Sequence, residues 1–276
     1  MSALIELLTE LFSFAFIVRA MVVGVLVSLC AALLGVTLVL KRYSMIGTGL
    51  SNVGFGTLAI AMSFRMAPLQ ISIPVMLLAA FALLRISENS KIKGDAAIAL
   101  ISSSSLAIGA VVISLTTGMN ADVCNFMFGS ILVMSRNDVY LSVAIAVLVL
   151  ILYALSYNRI FAVTFDENFA RATGINAGHY NTLIAALTAM IIVIGMRLMG
   201  ALLISSLIIF PALTSMRVFS SFKRVVICSA VLSVVCFFIG IIASFVLATP
   251  AGASVVIINL AAFCLFWAAE KFGLRA

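Results

Sequence analysis

A chain of 276 residues that is 65% hydrophobic and only 9% charged is not an ordinary soluble domain. Its net charge of +7 would suit a nucleic-acid partner, but the distribution of that charge around long apolar runs is explained better by membrane topology, so no nucleic acid is expected. The composition points to an all-α, polytopic membrane protein in which residues 1–276 form a single transmembrane domain. Glu6 and Glu10 precede the first apolar run where a cleavable signal peptide would be basic, so none is expected.

The apolar runs predict nine spans, near 14–40, 44–64, 68–86, 95–117, 138–157, 180–199, 201–217, 225–248 and 252–269. The run 201–217 is barely long enough, and a broken or re-entrant helix there leaves eight full spans. With the N-terminus outside, twelve of the sixteen Lys and Arg fall inside, among them Lys41, Arg42, Lys91, Lys93, Lys223 and Arg224. Only Arg65, Arg136 and Arg197 fall outside, which is the positive-inside asymmetry and puts the C-terminus inside.

Residues 1–13 read as a short amphipathic lead-in. The first span carries Gly24, Ser28, Ala31, Ala32 and Gly35, small residues that permit close helix packing, and stops at Lys41-Arg42. The stretch Tyr43 to Gly56 is the least lipid-like of any span, with glycines at 47, 49, 54 and 56. Thr48 and Asn52 share a face at i,i+4 with Ser51 beside them, and such a stripe faces protein or water, most simply as hydrogen-bonding glue between helices. Residues 85–95 form a basic loop, and Ser102 to Ser105 can bond back onto their own helix. Residues 118–137, apolar in the middle and outside, suit a half-inserted segment packed on protein.

The stretch from Arg159 to Asn181 interrupts the apolar pattern and falls on the inner side. Thr164-Phe165-Asp166-Glu167 has the spacing of a capping box, with Thr164 at the N-cap and Glu167 at N3. Glu167 precedes Arg171 by four residues, the favourable order for an ion pair, and Gly174 stands where a left-handed C′ residue belongs. Phe165 and Phe169 share one face. At about nine residues, roughly 13 Å, this helix is too short to cross a bilayer. Local physics leaves two readings open, a helix lying on lipid or one docking a soluble partner. After it, the last two spans are joined by the tight turn Ala248 to Gly252.

Absences narrow the function. The chain has no G-x-x-x-x-G-K-[ST] phosphate cradle, no nucleophile–base pair and no C-x-x-C spacing among its five cysteines. His179 is the only histidine, and all nine acidic residues fall in loops or near span ends, so the buried relay of a secondary carrier is missing. A membrane body with a capped helix and no motor is expected to be a subunit powered by another chain.

The chain resembles the permease subunits of ABC importers for zinc and manganese, most closely the high-affinity zinc uptake branch, from about Arg19 to Trp267. The strongest pieces are Leu34-Gly35 leading to Lys41 through Gly47, Asp95 through Ser114, Asn125 to Gly129, Met199 to Ala212, and Thr249 to Val256. The resemblance implies a homodimer in a bacterial inner membrane with a pathway between protomers. It also implies two ATPase subunits that use the ATP, with no cofactor on this chain, and an external metal-binding protein. It assigns the helix at 164–174, with Thr164, Phe165, Asp166, Glu167, Phe169, Arg171 and Gly174, as the ATPase-coupling helix. The family pattern has Gly-Asp followed four residues later by His in the second span; here Thr48 and Asn52 stand there, and Ser130 stands where an acid is common. Neutral oxygens hold zinc far less well than imidazole or carboxylate, so no tight metal site is expected within the membrane. Zinc is the expected cargo; manganese, iron, a metal chelate, or a carrier working alone are the alternatives.

Overall fold

The computed structural model describes residues 15–64, 68–89, 94–116 and 136–271. The expected lead-in at 1–13, residues 118–135 of the expected half-inserted segment at 118–137, with Ser130, and the centre of the basic loop at 90–93 lie outside those residues. Every element among the described residues is a helix: α1 (Ala15–Leu40), α2 (Ile46–Ser63), α3 (Pro68–Asn89), α4 (Gly94–Leu115), α5 (Arg136–Phe165), α6 (Glu167–Ala172), α7 (Ala177–Met199), α8 (Ala201–Val218), α9 (Phe222–Leu247) and α10 (Ala251–Lys271).

The helix ends follow local chemistry. Pro68 opens α3, where its missing N–H costs nothing. Between α7 and α8 the only linking residue is Gly200, at φ 88° and ψ 156°, a conformation open to glycine alone. The chain folds back there, since a Cβ on Gly195 would lie 2.5 Å from the Ile204 side chain, whereas nine residues of continuous helix would separate them by roughly 13 Å. Two expectations are corrected. The stretch 201–217 is not broken: α8 is a continuous helix of 18 residues that keeps Pro211 inside it. And α5 does not end near residue 157 but runs 30 residues to Phe165, because its final turns pack on α7 and α9 instead of fraying in water. Among the described residues seven helices are long and apolar enough to cross a membrane, and α2 and α3 are the two long helices outside that set.

Among the seven helices that could span a membrane, α1 and α7 are the most enclosed and α4, α5 and α10 the least, and α2 is buried along most of its length. Around α1 stand α5, α7, α8 and α9. The small residues read from the first span do make these contacts. A Cβ on Gly35 would lie 2.0 Å from the Ile208 carbonyl of α8, and Ser233 and Ser229 of α9 donate to the carbonyls of Ser28 and Ala32 at 3.0 and 3.4 Å. α2 packs most closely on α4, where a Cβ on Gly56 would stand 2.7 Å from the Ser105 carbonyl. The outer helices turn apolar residues such as Leu115, Leu155 and Leu265 outward, as lipid contact requires.

Candidate functional site

The short helix forms where the sequence interrupts its apolar runs, but its cap differs from the expected capping box. Thr164 is not the N-cap. It lies inside α5, and its hydroxyl donates to the Ile160 carbonyl at 2.6 Å. The N-cap is Asp166, extended at φ −146° and ψ 100°, whose carboxylate accepts from the Phe169 N–H at 2.9 Å. Asp outranks Thr as an N-cap, so Asp166 breaks the chain two residues later than expected. α6 is therefore six residues long instead of about nine, with Glu167 at N1. Its far end closes as a Schellman motif: Ile175 N–H bonds the Ala170 carbonyl at 2.9 Å and Gly174 N–H the Arg171 carbonyl at 3.1 Å. Gly174, at φ +83°, supplies the left-handed residue expected there.

Glu167 is the hub of this corner. One carboxylate oxygen accepts from Arg171 Nη2 at 2.6 Å, and the other accepts from Asn181 Nδ2 at 3.4 Å and lies 4.0 Å from Lys41 Nζ. Lys41, at the end of α1, also donates to the Asn181 side-chain oxygen. Its side chain is only 10% exposed, so these partners compensate for taking an ammonium out of water. Burial pushes the Glu167 carboxyl up, but the hydrogen bonds from Arg171 and Asn181 and the charges of Lys41 and Arg171 outweigh it, leaving the group below the usual carboxylate range. α6 is thus tied to α1 and α7 at once. Arg159 adds a second brace from α5 to α7, donating to the Tyr180 hydroxyl at 2.6 Å.

Beside the polar hub lies an aromatic patch. Phe165 ends α5 instead of sitting on α6, and packs with Phe161 and Phe222 at ring separations of 4.9 and 5.8 Å. Phe165 and Phe169 remain 59% and 63% exposed, so both are open to a partner. His179 is exposed and stacks edge-on against Tyr180.

In the polar stripe on α2, Asn52 faces α4. Asn52 donates to the Ser102 hydroxyl at 2.6 Å, the helix-to-helix bond that the stripe itself favoured. Thr48 is half-buried, and Ser51 is buried with its hydroxyl unpartnered. Among the described residues no three His, Cys, Asp or Glu side chains come together.

Residues 13–270 match the family described as ABC 3 transport. The chain belongs to that ABC 3 family. It is accordingly a multi-pass permease subunit and not itself an enzyme. Two relatives come from Haemophilus influenzae. A probable iron transport system membrane protein is 30% identical, covering 98% of this chain and 96% of the relative. The high-affinity zinc uptake system membrane protein ZnuB is 28% identical, covering 91% and 97%. Among solved structures, PsaBC from Streptococcus pneumoniae in complex with a Fab superposes with a TM-score of 0.84 at 26% identity, over 96% of this chain and 95% of that one. The ABC 3 chain thus matches its relatives over nearly their whole length.

Proposed function

We propose that this chain is the membrane-spanning subunit of an ATP-driven importer of divalent metal ions, with zinc the preferred cargo. Two copies enclose the pathway in the cytoplasmic membrane of a bacterium, an external protein delivers the metal, and two ATPase subunits dock at α6. Nine crossings put the termini on opposite sides, and the positive-inside asymmetry places the N-terminus outside and the C-terminus inside. The observation that carries this reading is the corner at α6: a capped helix of six residues, with Phe165 and Phe169 exposed beside it, held to α1 and α7 through Glu167. Exposed aromatic side chains on and beside a fixed helix are the anchors that a partner groove takes up.

The path of the stroke follows from the contacts. Movement of α6 acts on α7 through Asn181 and on α1 through Lys41. α7 meets α2 where Gly54 faces Met196, and α2 carries Thr48, Ser51 and Asn52. These neutral oxygens suit a metal in transit, since conduction needs binding weak enough to release. Iron or manganese is the runner-up cargo, supported by relatives of nearly equal identity named for iron and for manganese.

The test is metal uptake by the reconstituted complex, with competing metals and with ATP withheld. Phe169→Ala is expected to abolish ATP-driven uptake and to release the ATPase on co-purification while the permease stays folded and inserted. Retention of both the ATPase and full uptake by this variant would overturn the docking reading.

A further inference from the structure

A furrow of about 730 Å³ runs along the outward face between α9 and α10. The two helices touch closely near their connecting turn, where a Cβ on Gly240 would lie 2.5 Å from Val255. Away from the turn they part, and Ala261 and Ala262 are too small to fill the space opposite Val231 and Val235. The lining is apolar throughout except at one end, where Arg224 closes it. That end lies on the same side of the bundle as α6, because Phe222 packs on Phe161 and Phe165.

The charge at this end is not neutralised. α9 has no acidic residue in its first turn, and its N-cap Ser221 makes no side-chain capping bond. Glu270, the acid at the adjoining end of α10, is engaged by Arg217 at 3.2 Å. Lys223 and Arg224 are exposed and form no ion pair among the described residues. Two cations beside an open helix N-terminus make a surroundings suited to a phosphate. The apolar furrow leads directly away from it for roughly 22 Å along α9, from Arg224 to Ile239, and roughly 12 Å along α10, from Ile258 to Phe266. One leaflet of hydrocarbon is about 15 Å thick, which these lengths bracket.

We propose that this furrow binds one acyl chain of an anionic phospholipid, whose phosphate rests against Arg224 and Lys223. The occupant comes from the leaflet on the α6 side and is selected by its headgroup charge, since any lipid tail satisfies the apolar part. Each cation beside an anionic lipid is worth about fivefold in binding.

The experiment is native mass spectrometry of the full-length chain in mild detergent, titrated with phosphatidylglycerol and with phosphatidylcholine of the same chain length. The wild type is expected to retain phosphatidylglycerol preferentially. Arg224→Gln should lower that retention about fivefold and leave phosphatidylcholine unchanged, while Ala262→Trp, which fills the furrow, should reduce both. Equal retention of the two lipids, or an Arg224→Gln variant indistinguishable from wild type, overturns the proposal. A photoreactive residue in place of Val231, irradiated in native membranes, is expected to yield lipid adducts. Adducts to a second copy of the chain or to an ATPase would mean that protein covers the furrow, and would also overturn it.

Discussion

Glu167 is the residue on which the most contacts of the α6 corner converge. Because its carboxyl titrates below the usual carboxylate range, the folded state binds the proton more weakly than the unfolded chain does. Its contribution is therefore complete above the ordinary carboxylate pKa, about 4.3, and is lost as pH falls through the lower folded value. Attachment of α6 to Lys41 and Asn181 should be insensitive to pH between 8 and 5 and should fail in stronger acid. Glu167→Gln is expected to abolish that acid dependence and to leave the helix loosely held at every pH, read as raised amide exchange in residues 167–175. An unchanged acid dependence in the Gln variant would show that another group is responsible. Lys41→Met removes the tie to α1 alone, so it should keep the ATPase bound while lowering the metal imported per ATP.

At the scale of the element, α6 depends on its two caps. Asp166→Ala removes the bond to the Phe169 N–H, and a lost N-cap costs about 0.5–2 kcal/mol, enough to loosen a helix of six residues without disturbing the bundle. Thr164→Ala removes only a bond back to the Ile160 carbonyl within α5, so it should leave uptake close to wild type. Parallel uptake assays check the order; an equal loss from both would restore Thr164 as the cap. The existence of α6 was legible in sequence because Asp166 and Gly174 are local signals that act within a few residues. Its exact start was not, because Thr164 and Asp166 both offer a capping oxygen, and the packing of α5's last turns adds to the small intrinsic preference for Asp. Lys41 and Asn181 left no trace, since no local rule joins residues 140 apart. The same limit applies to α2: that Asn52 faces protein follows from helical spacing, but Ser102 as its partner does not. Helices such as α1 were legible almost to the residue, because an unbroken apolar run ends at paired charges, Lys41 and Arg42.

For the whole molecule, the absence of any phosphate-cradling motif in the full sequence means that the chain by itself should neither bind nor hydrolyse ATP. ATP turnover by the purified chain, free of every partner, is the measurement that would contradict this. On the proposed docking, the energy enters at the α6 corner and crosses a body in which α1, α2 and α7 are well enclosed. Here the single-residue joint at Gly200 matters. A loop of several residues would stretch when α7 tilts and absorb the displacement before α8 felt it. A joint of one residue, with Gly195 already pressed on Ile204, has no slack to give. On the proposed docking at α6, the two helices act as a bent lever, driven where Asn181 meets α6 and returning on the same side at Arg217, so a push at one arm is delivered at the other without lost motion.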